Sequence, residues 1–297
     1  MMSFKRCILL VSAIFLMPAS LSCEEYALVL SGGGGKGAYE LGVWKAMVDY
    51  GIAQKVTAIS GTSVGGLNGA MFACYGSDVS SMEDIWLNTV PSELTKDDAL
   101  ISQEGLENII NAVPLYKIKE NAFPKVTVTA VRDRFKIAKY LMTNLFGESY
   151  AHRFVLNEEE SVSEIKNELL ATSAFPVICS SVKLKDGFYY IDGGGDDVYG
   201  GDNVPISPII EKCPDIQNII VVYLESASTL KKRVRVIDYD DKDIIEVIPS
   251  IELGNLFEGT TNFSARRIKL LIRQGYDDVS KIFISKGMNK VSSYWFE

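Results

Sequence analysis

Between Tyr26 and Gly76 the chain runs twice through one pattern: a short apolar run, then a longer stretch of helical periodicity closed by a glycine. Tyr26 to Leu30 leads into Ala38 to Tyr50 and Gly51, and Val56 to Ser60 leads into Val64 to Tyr75 and Gly76. A helix placed between two strands returns the chain to the end of the sheet where it started, so the second strand lies parallel to the first. The repeat therefore predicts an α/β fold on a mostly parallel sheet.

The rest of the chain extends this reading. Helices are expected at Met82 to Asn88 and Gln103 to Val113, and strands at Lys125 to Val131 and Phe135 to Met142. Ser161-x-x-Glu164 opens a helix over Val162 to Thr172 as a capping box. Asp186-Gly187 joins two alternating runs, Ser181 to Leu184 and Phe188 to Ile191, as a hairpin. Asn218 to Leu224 is continuously apolar, as an interior strand would be. A late helix spans Ala265 to Gln274, with Ser264 as cap and Gly275 as stop. Lys231 to Asp243 turns from basic to acidic within a few residues, as a solvated hairpin does. No repeat, low-complexity tract or linker divides residues 24–297, so one domain is expected.

Residues 1–23 read as a secretory signal peptide: Lys5 and Arg6, an apolar run from Cys7 to Met17 broken only by Ser12, then Pro18, Ala19, Ser20 and Ser22. That run is too short to span a bilayer core, which needs roughly 20 apolar residues. Ser20-Leu21-Ser22 suits ordinary cleavage, and Ser22-Cys23 also resembles a loose lipoprotein site. Plain export is the reading, with a lipid anchor at Cys23 as the alternative. Whether the destination is periplasm, cell envelope or medium stays open. Cys74, Cys179 and Cys213 show no paired spacing and indicate no metal knuckle or disulfide scaffold.

Composition narrows the chemistry. A formal net charge of −8 disfavours a nucleic-acid partner held by phosphate neutralisation. The single histidine, His152, leaves no room for a histidine-built zinc site and little choice of histidine base.

Three constellations carry chemistry. Gly32-Gly33-Gly34-Gly35-Lys36-Gly37 falls between a strand and a helix, where bare backbone turns tightly and aims several N–H groups at one point of negative charge. The string also satisfies the dinucleotide fingerprint, but the acid that should follow on the next strand is missing between Gly51 and Ser77. A Walker loop fails because Ala38, not Ser or Thr, follows Lys36-Gly37. What remains is an anion or oxyanion cradle. Gly61-Thr62-Ser63-Val64-Gly65 sits at a strand-to-helix junction as a nucleophile elbow, Ser63 being otherwise a plain helix cap. No histidine follows His152, which reads as structural, so a carboxylate is expected to serve as base. Asp192-Gly193-Gly194, ending the hairpin strand, supplies it; with Asp196 and Asp197 the same run also resembles a calcium loop, without EF-hand spacing.

Taken in order, Gly32 to Gly37 with the basic Lys36, Gly61-x-Ser63-x-Gly65, Ala171 to Pro176 and Asp192-Gly193-Gly194 resemble the patatin-like phospholipase family, over about Tyr26 to Asp278. The resemblance implies a three-layer α/β sandwich and a Ser63–Asp192 dyad needing no histidine, metal or cofactor. It implies an oxyanion hole of the Gly33, Gly34 and Gly35 amides with that of Val64. Lys36 would orient the loop or a headgroup. The substrate would be a phospholipid or other acyl-ester lipid, met peripherally at a membrane surface; the oligomeric state is left open. A catalytically silent lipid-binding or effector protein on the same fold is the alternative. One departure stands out: Gly195 to Asp202 intervenes before Asn203-Val204-Pro205, as a lid, a cation-binding loop or a surface bulge. Candidate membrane contacts are Trp86, Leu115-Tyr116, Leu145-Phe146 and Trp295-Phe296. The cations Arg266, Arg267, Lys269 and Arg273 read as solvated helix surface or as headgroup contacts.

Overall fold

The computed structural model describes residues 24–94, 102–133, 151–176, 179–194, 200–230 and 241–291. Residues 1–23, expected to be a signal peptide, the predicted strand Phe135 to Met142, Leu145-Phe146, Asp196-Asp197, most of Lys231 to Asp243, and Trp295-Phe296 lie outside these residues. Strands β1 (Tyr26–Leu30), β2 (Val56–Thr62), β3 (Lys125–Arg132), β4 (Ala151–Val155), β5 (Val182–Lys183), β6 (Tyr189–Asp192), β7 (Asn218–Val222) and β8 (Asp243–Val247) form one sheet. Its order is β5-β6-β3-β2-β1-β7-β8, with β4 also on β3. Pairing is parallel from β3 through β2, β1 and β7 to β8, and antiparallel around β4, β5 and β6.

Alternation of side chains along the strands makes the layers. From β1, Tyr26, Leu28 and Leu30 enter a large core shared with α1 (Ala38–Asp49) and α2 (Val64–Tyr75), while Ala27 and Val29 enter a second core. β7 divides the same way: Ile220 and Val222 go to the first core, Ile219 and Val221 to the second. Helices on both faces make a three-layer α/β sandwich.

On the large-core side lie α3 (Val79–Asp84), a π-helical turn (Ile85–Thr89), α4 (Val90–Leu94) and α5 (Gln103–Ala112). α6 (Tyr116–Glu120) and α7 (Val162–Thr172) follow in the chain, α7 with the predicted capping box in place. The small-core face carries α8 (Ser207–Lys212) and the short α9 (Ala227–Leu230). No helix among the described residues is long and apolar enough to cross a membrane.

The last helix departs from expectation. α10 runs from Ala265 to Ser285, straight through Gly275. That glycine serves packing: a Cβ there would stand 2.0 Å from the carbonyl oxygen of Tyr39, and one at Gly42 would stand 1.9 Å from that of Ile272. α1 and α10 cross backbone to backbone, and glycine is what the crossing admits. Ser264 occupies the N-cap position without a side-chain cap, its hydroxyl donating instead to Asn262 at 2.9 Å. β4 and β8 were not legible in the sequence, and the predicted helix Met82 to Asn88 is the middle of a longer run from Val79 to Leu94.

Candidate active site

The register of β3 brings the two expected reactive residues together. Ala130 and Val131 of β3 pair with both β4 and β6, so those two strands lie on opposite edges of β3. Thr127 to Thr129 pair with both β2 and β4, so β2 and β6 share one edge. On that edge Thr62 lies opposite Thr129 and Asp192 lies opposite Ala130. Two strands running towards each other thus end at adjacent positions, and Ser63 and Asp192 meet where they stop. Ser63 Oγ donates to Asp192 Oδ2 at 2.5 Å.

Local chemistry fixes each partner. Ser63 has φ 54° and ψ −127° and is the one non-glycine residue at positive φ among those described, a conformation that costs roughly 1–3 kcal/mol. Its carbonyl accepts from the amides of Gly66 and Leu67 at 2.9 and 3.1 Å, and its own N–H donates to Thr172 Oγ1 at 3.0 Å. The flanking glycines answer close approach: a Cβ on Gly61 would lie 2.4 Å from the Gly65 backbone, and one on Gly65 2.5 Å from the Leu30 carbonyl. Asp192 is buried, and its Oδ1 accepts from the Gly194 amide at 2.7 Å. Burial raises its pKa from 3.8 to about 6, against the opposing effect of the Ser63 and Gly194 donors. A carboxylate tuned into that range is a better proton acceptor than a free aspartate.

The end of α7 braces both residues. Thr172 accepts from Ser63 N through its hydroxyl, which in turn donates to the Thr129 carbonyl of β3; its carbonyl accepts from Gly193 N at 3.4 Å. Ala174 O accepts from Asp192 N at 2.9 Å. The glycine loop is held in the same manner. Gly32 N donates to Asn203 O at 3.2 Å and Asn203 Nδ2 returns to Gly32 O at 3.4 Å. Asn68, one helical turn beyond Ser63, donates to Gly37 O at 2.9 Å and to Glu40 Oε2 at 2.8 Å, and accepts from Trp86 Nε1 at 3.0 Å. Glu40 is fully buried, which raises its pKa well above the carboxylate range. Asp202 N donates to Gly193 O at 2.9 Å, which ties the chain before Asn203 to the turn that follows Asp192.

Ser63 and Asp192 open into a cavity of about 700 Å³. Its lining includes the apolar side chains of Leu67, Met71, Val90, Leu94, Leu106 and Ile109, together with Gly33, Gly34, Val64 and Asn203. Lys36 also lines it, its ammonium pKa lowered by burial. Gly34 begins a short 3₁₀ turn and Val64 begins α2, and first-turn amides have no partner within their own helix. Gly35 is buried and is not among the cavity-lining residues; a Cβ on it would meet the carbonyl oxygens of Asn262 and Gly259 at 2.7 and 2.9 Å. His152 stands on β4 edge-on to Tyr190, 5.5 Å between rings, and is not among the cavity-lining residues. Trp86 and Leu115 are buried, so of the described membrane candidates only Tyr116 is exposed. Sequence reasoning missed Glu40, Asn68 and Thr172; their signal is a polar residue alone in an otherwise apolar or glycine-rich helical face.

A family model described as patatin-like phospholipase matches residues 28–210. No curated protein matches. Among solved structures, VipD from Legionella pneumophila is similar over 88% of this chain, at 14% identity and a TM-score of 0.46. Human GIVD cytosolic phospholipase A2 is similar over 89%, at 8% identity and 0.49, and a chain of the ExoU–SpcU complex of Pseudomonas aeruginosa over 87%, at 13% and 0.37. The present chain spans 67%, 62% and 52% of those three chains respectively.

Proposed function

Since this chain belongs to the patatin-like phospholipase family, we propose that it hydrolyses acyl esters of phospholipids with Ser63 as nucleophile and Asp192 as its base. The observation that carries the reading is the 2.5 Å bond from Ser63 Oγ to a buried carboxylate in the wall of a largely apolar cavity. Ser63 Oγ attacks the ester carbonyl carbon while its proton passes to Asp192 Oδ2. The carbonyl oxygen, now negative, takes hydrogen bonds from the amides of Gly33, Gly34 and Val64, each such donor being worth about 3 kcal/mol in the transition state. Collapse breaks the ester bond, and the departing alkoxide takes the proton from Asp192. Water then gives a proton to Asp192, attacks the acyl-serine and releases the fatty acid, returning the proton to Ser63. The apolar lining of the cavity accepts the acyl chain.

Export is part of the proposal and rests on the signal-peptide pattern of residues 1–23, with lipidation of Cys23 as its variant. The test is fatty acid release from mixed phospholipid vesicles by the parent and by folded Ser63→Ala protein. Release by the parent with loss of at least about a thousandfold in the variant is expected. Lipid bound stoichiometrically without release would instead favour a silent binder.

A further inference from the structure

Nine large apolar or aromatic side chains stand exposed among the described residues, and four of them, Ile251, Leu256, Phe257 and Leu270, fall in one short segment. A fifth, Phe175, lines the catalytic cavity together with Leu256. Phe257 is 70% exposed, Leu256 46% and Phe175 40%. Phe257 is held out by a built turn: Asn255 Oδ1 accepts from the amides of Phe257 and Glu258 at 2.9 and 3.0 Å. The segment continues into α10 through Asn262, which accepts from Ser264 N at 3.1 Å, and its start is tied back when Gln274 Nε2 donates to Ile251 O at 2.8 Å. The prongs and the first half of α10 therefore form one piece beside the cavity.

The charge of this piece runs against that of the chain. Residues 251–273 carry four cations, Arg266, Arg267, Lys269 and Arg273, against two acids, Glu252 and Glu258, within a chain of net charge −8. Arg266, Lys269 and Arg273 are exposed, and Glu252 accepts from the hydroxyls of Ser226 and Ser228 at 3.1 and 3.4 Å. Apolar prongs at a cavity mouth with cations beside them suit a surface that is oily beneath and negative on top.

We propose that Leu256, Phe257 and the exposed cations of α10 seat the cavity mouth on an anionic lipid bilayer; the proposal rests on reading the cavity as a site of lipid hydrolysis. The prongs enter the boundary between headgroups and acyl chains, and Arg266, Lys269 and Arg273 lie among the headgroups. The acidic remainder of the surface is repelled, which orients the molecule with its mouth down. An acyl chain then passes from bilayer to cavity without crossing water.

The test uses vesicles of ether-linked phosphatidylglycerol and phosphatidylcholine, which present the surface but cannot be cleaved, beside turnover of the soluble ester p-nitrophenyl butyrate. The parent is expected to co-sediment with anionic vesicles, less so as salt screens the cations. Phe257→Ser and the triple change Arg266→Glu, Lys269→Glu, Arg273→Glu are expected to bind about tenfold more weakly or worse, with soluble-ester turnover within about twofold of the parent. Variants that bind as the parent does, or a parent that binds neutral phosphatidylcholine vesicles equally well or no vesicle at all, would overturn the proposal. A parent that binds anionic vesicles but cleaves no ester keeps the docking face and sinks the hydrolase reading.

Discussion

At the scale of single residues, burial makes Asp192 both useful and costly. Its pKa of about 6 predicts that kcat/KM rises through pH 6 as the carboxylate loses its proton, and a pH–rate profile on a soluble ester checks this. The same shift bears on stability with a definite sign. Between pH 3.8 and about 6 the folded chain holds a proton that the unfolded chain has released, so the contribution of Asp192 to stability falls as pH rises across that window. Asp192→Asn, which has no charge to bury, should therefore melt no lower than the parent at neutral pH while losing activity. Thr172 offers a second test, because its hydroxyl holds the Ser63 amide and the Thr129 carbonyl at once. Thr172→Val should lower kcat by about tenfold or more with KM nearly unchanged, and Thr172→Ser should restore it. Equal loss in both variants would mean that the methyl group, not the hydroxyl, is what matters.

Elements show which parts of the fold a sequence can declare. β1, α2 and α7 lie at their predicted positions because each is signalled locally: an apolar run between turn residues, a glycine stop, a capping box. The strand-to-helix turn at Ser63 and the Asp-Gly-Gly turn were legible for the same reason, as backbone positions that exclude side chains. α10 was misjudged because Gly275 resembles a stop signal, and only the presence of α1 shows why a glycine belongs there. Gly275→Ala should thus destabilise rather than extend the helix, by about 3 kcal/mol or more, since a methyl group cannot fit 2.0 Å from the Tyr39 carbonyl. Chemical denaturation measures it, and a stabilised variant would refute the packing explanation. Glu40, Asn68 and Thr172 stayed hidden because their roles are contacts between elements distant in sequence.

For the molecule as a whole, buried carboxyls set the response to pH. Glu168 is buried on α7 beside Glu159, and burial with that neighbouring charge raises its pKa above the ordinary 4.5; burial raises that of Glu40 as well. Both groups keep protons in the fold that the unfolded chain gives up. Stability is accordingly fullest below pH 4.5 for these two sites and falls as pH climbs towards their folded values. Glu168→Gln should flatten the decline of melting temperature on the alkaline side, and an unchanged slope would show that the carboxyl is ionised in the fold.

The account stands on Ser63 reacting through Asp192, and labelling with a fluorophosphonate followed by mass spectrometry tests that most directly. One adduct on Ser63 is expected, formed at a rate that rises through about pH 6, unchanged in His152→Ala and lost in folded Asp192→Asn. An adduct on another residue, or an Asp192→Asn chain labelled as fast as the parent, would contradict it.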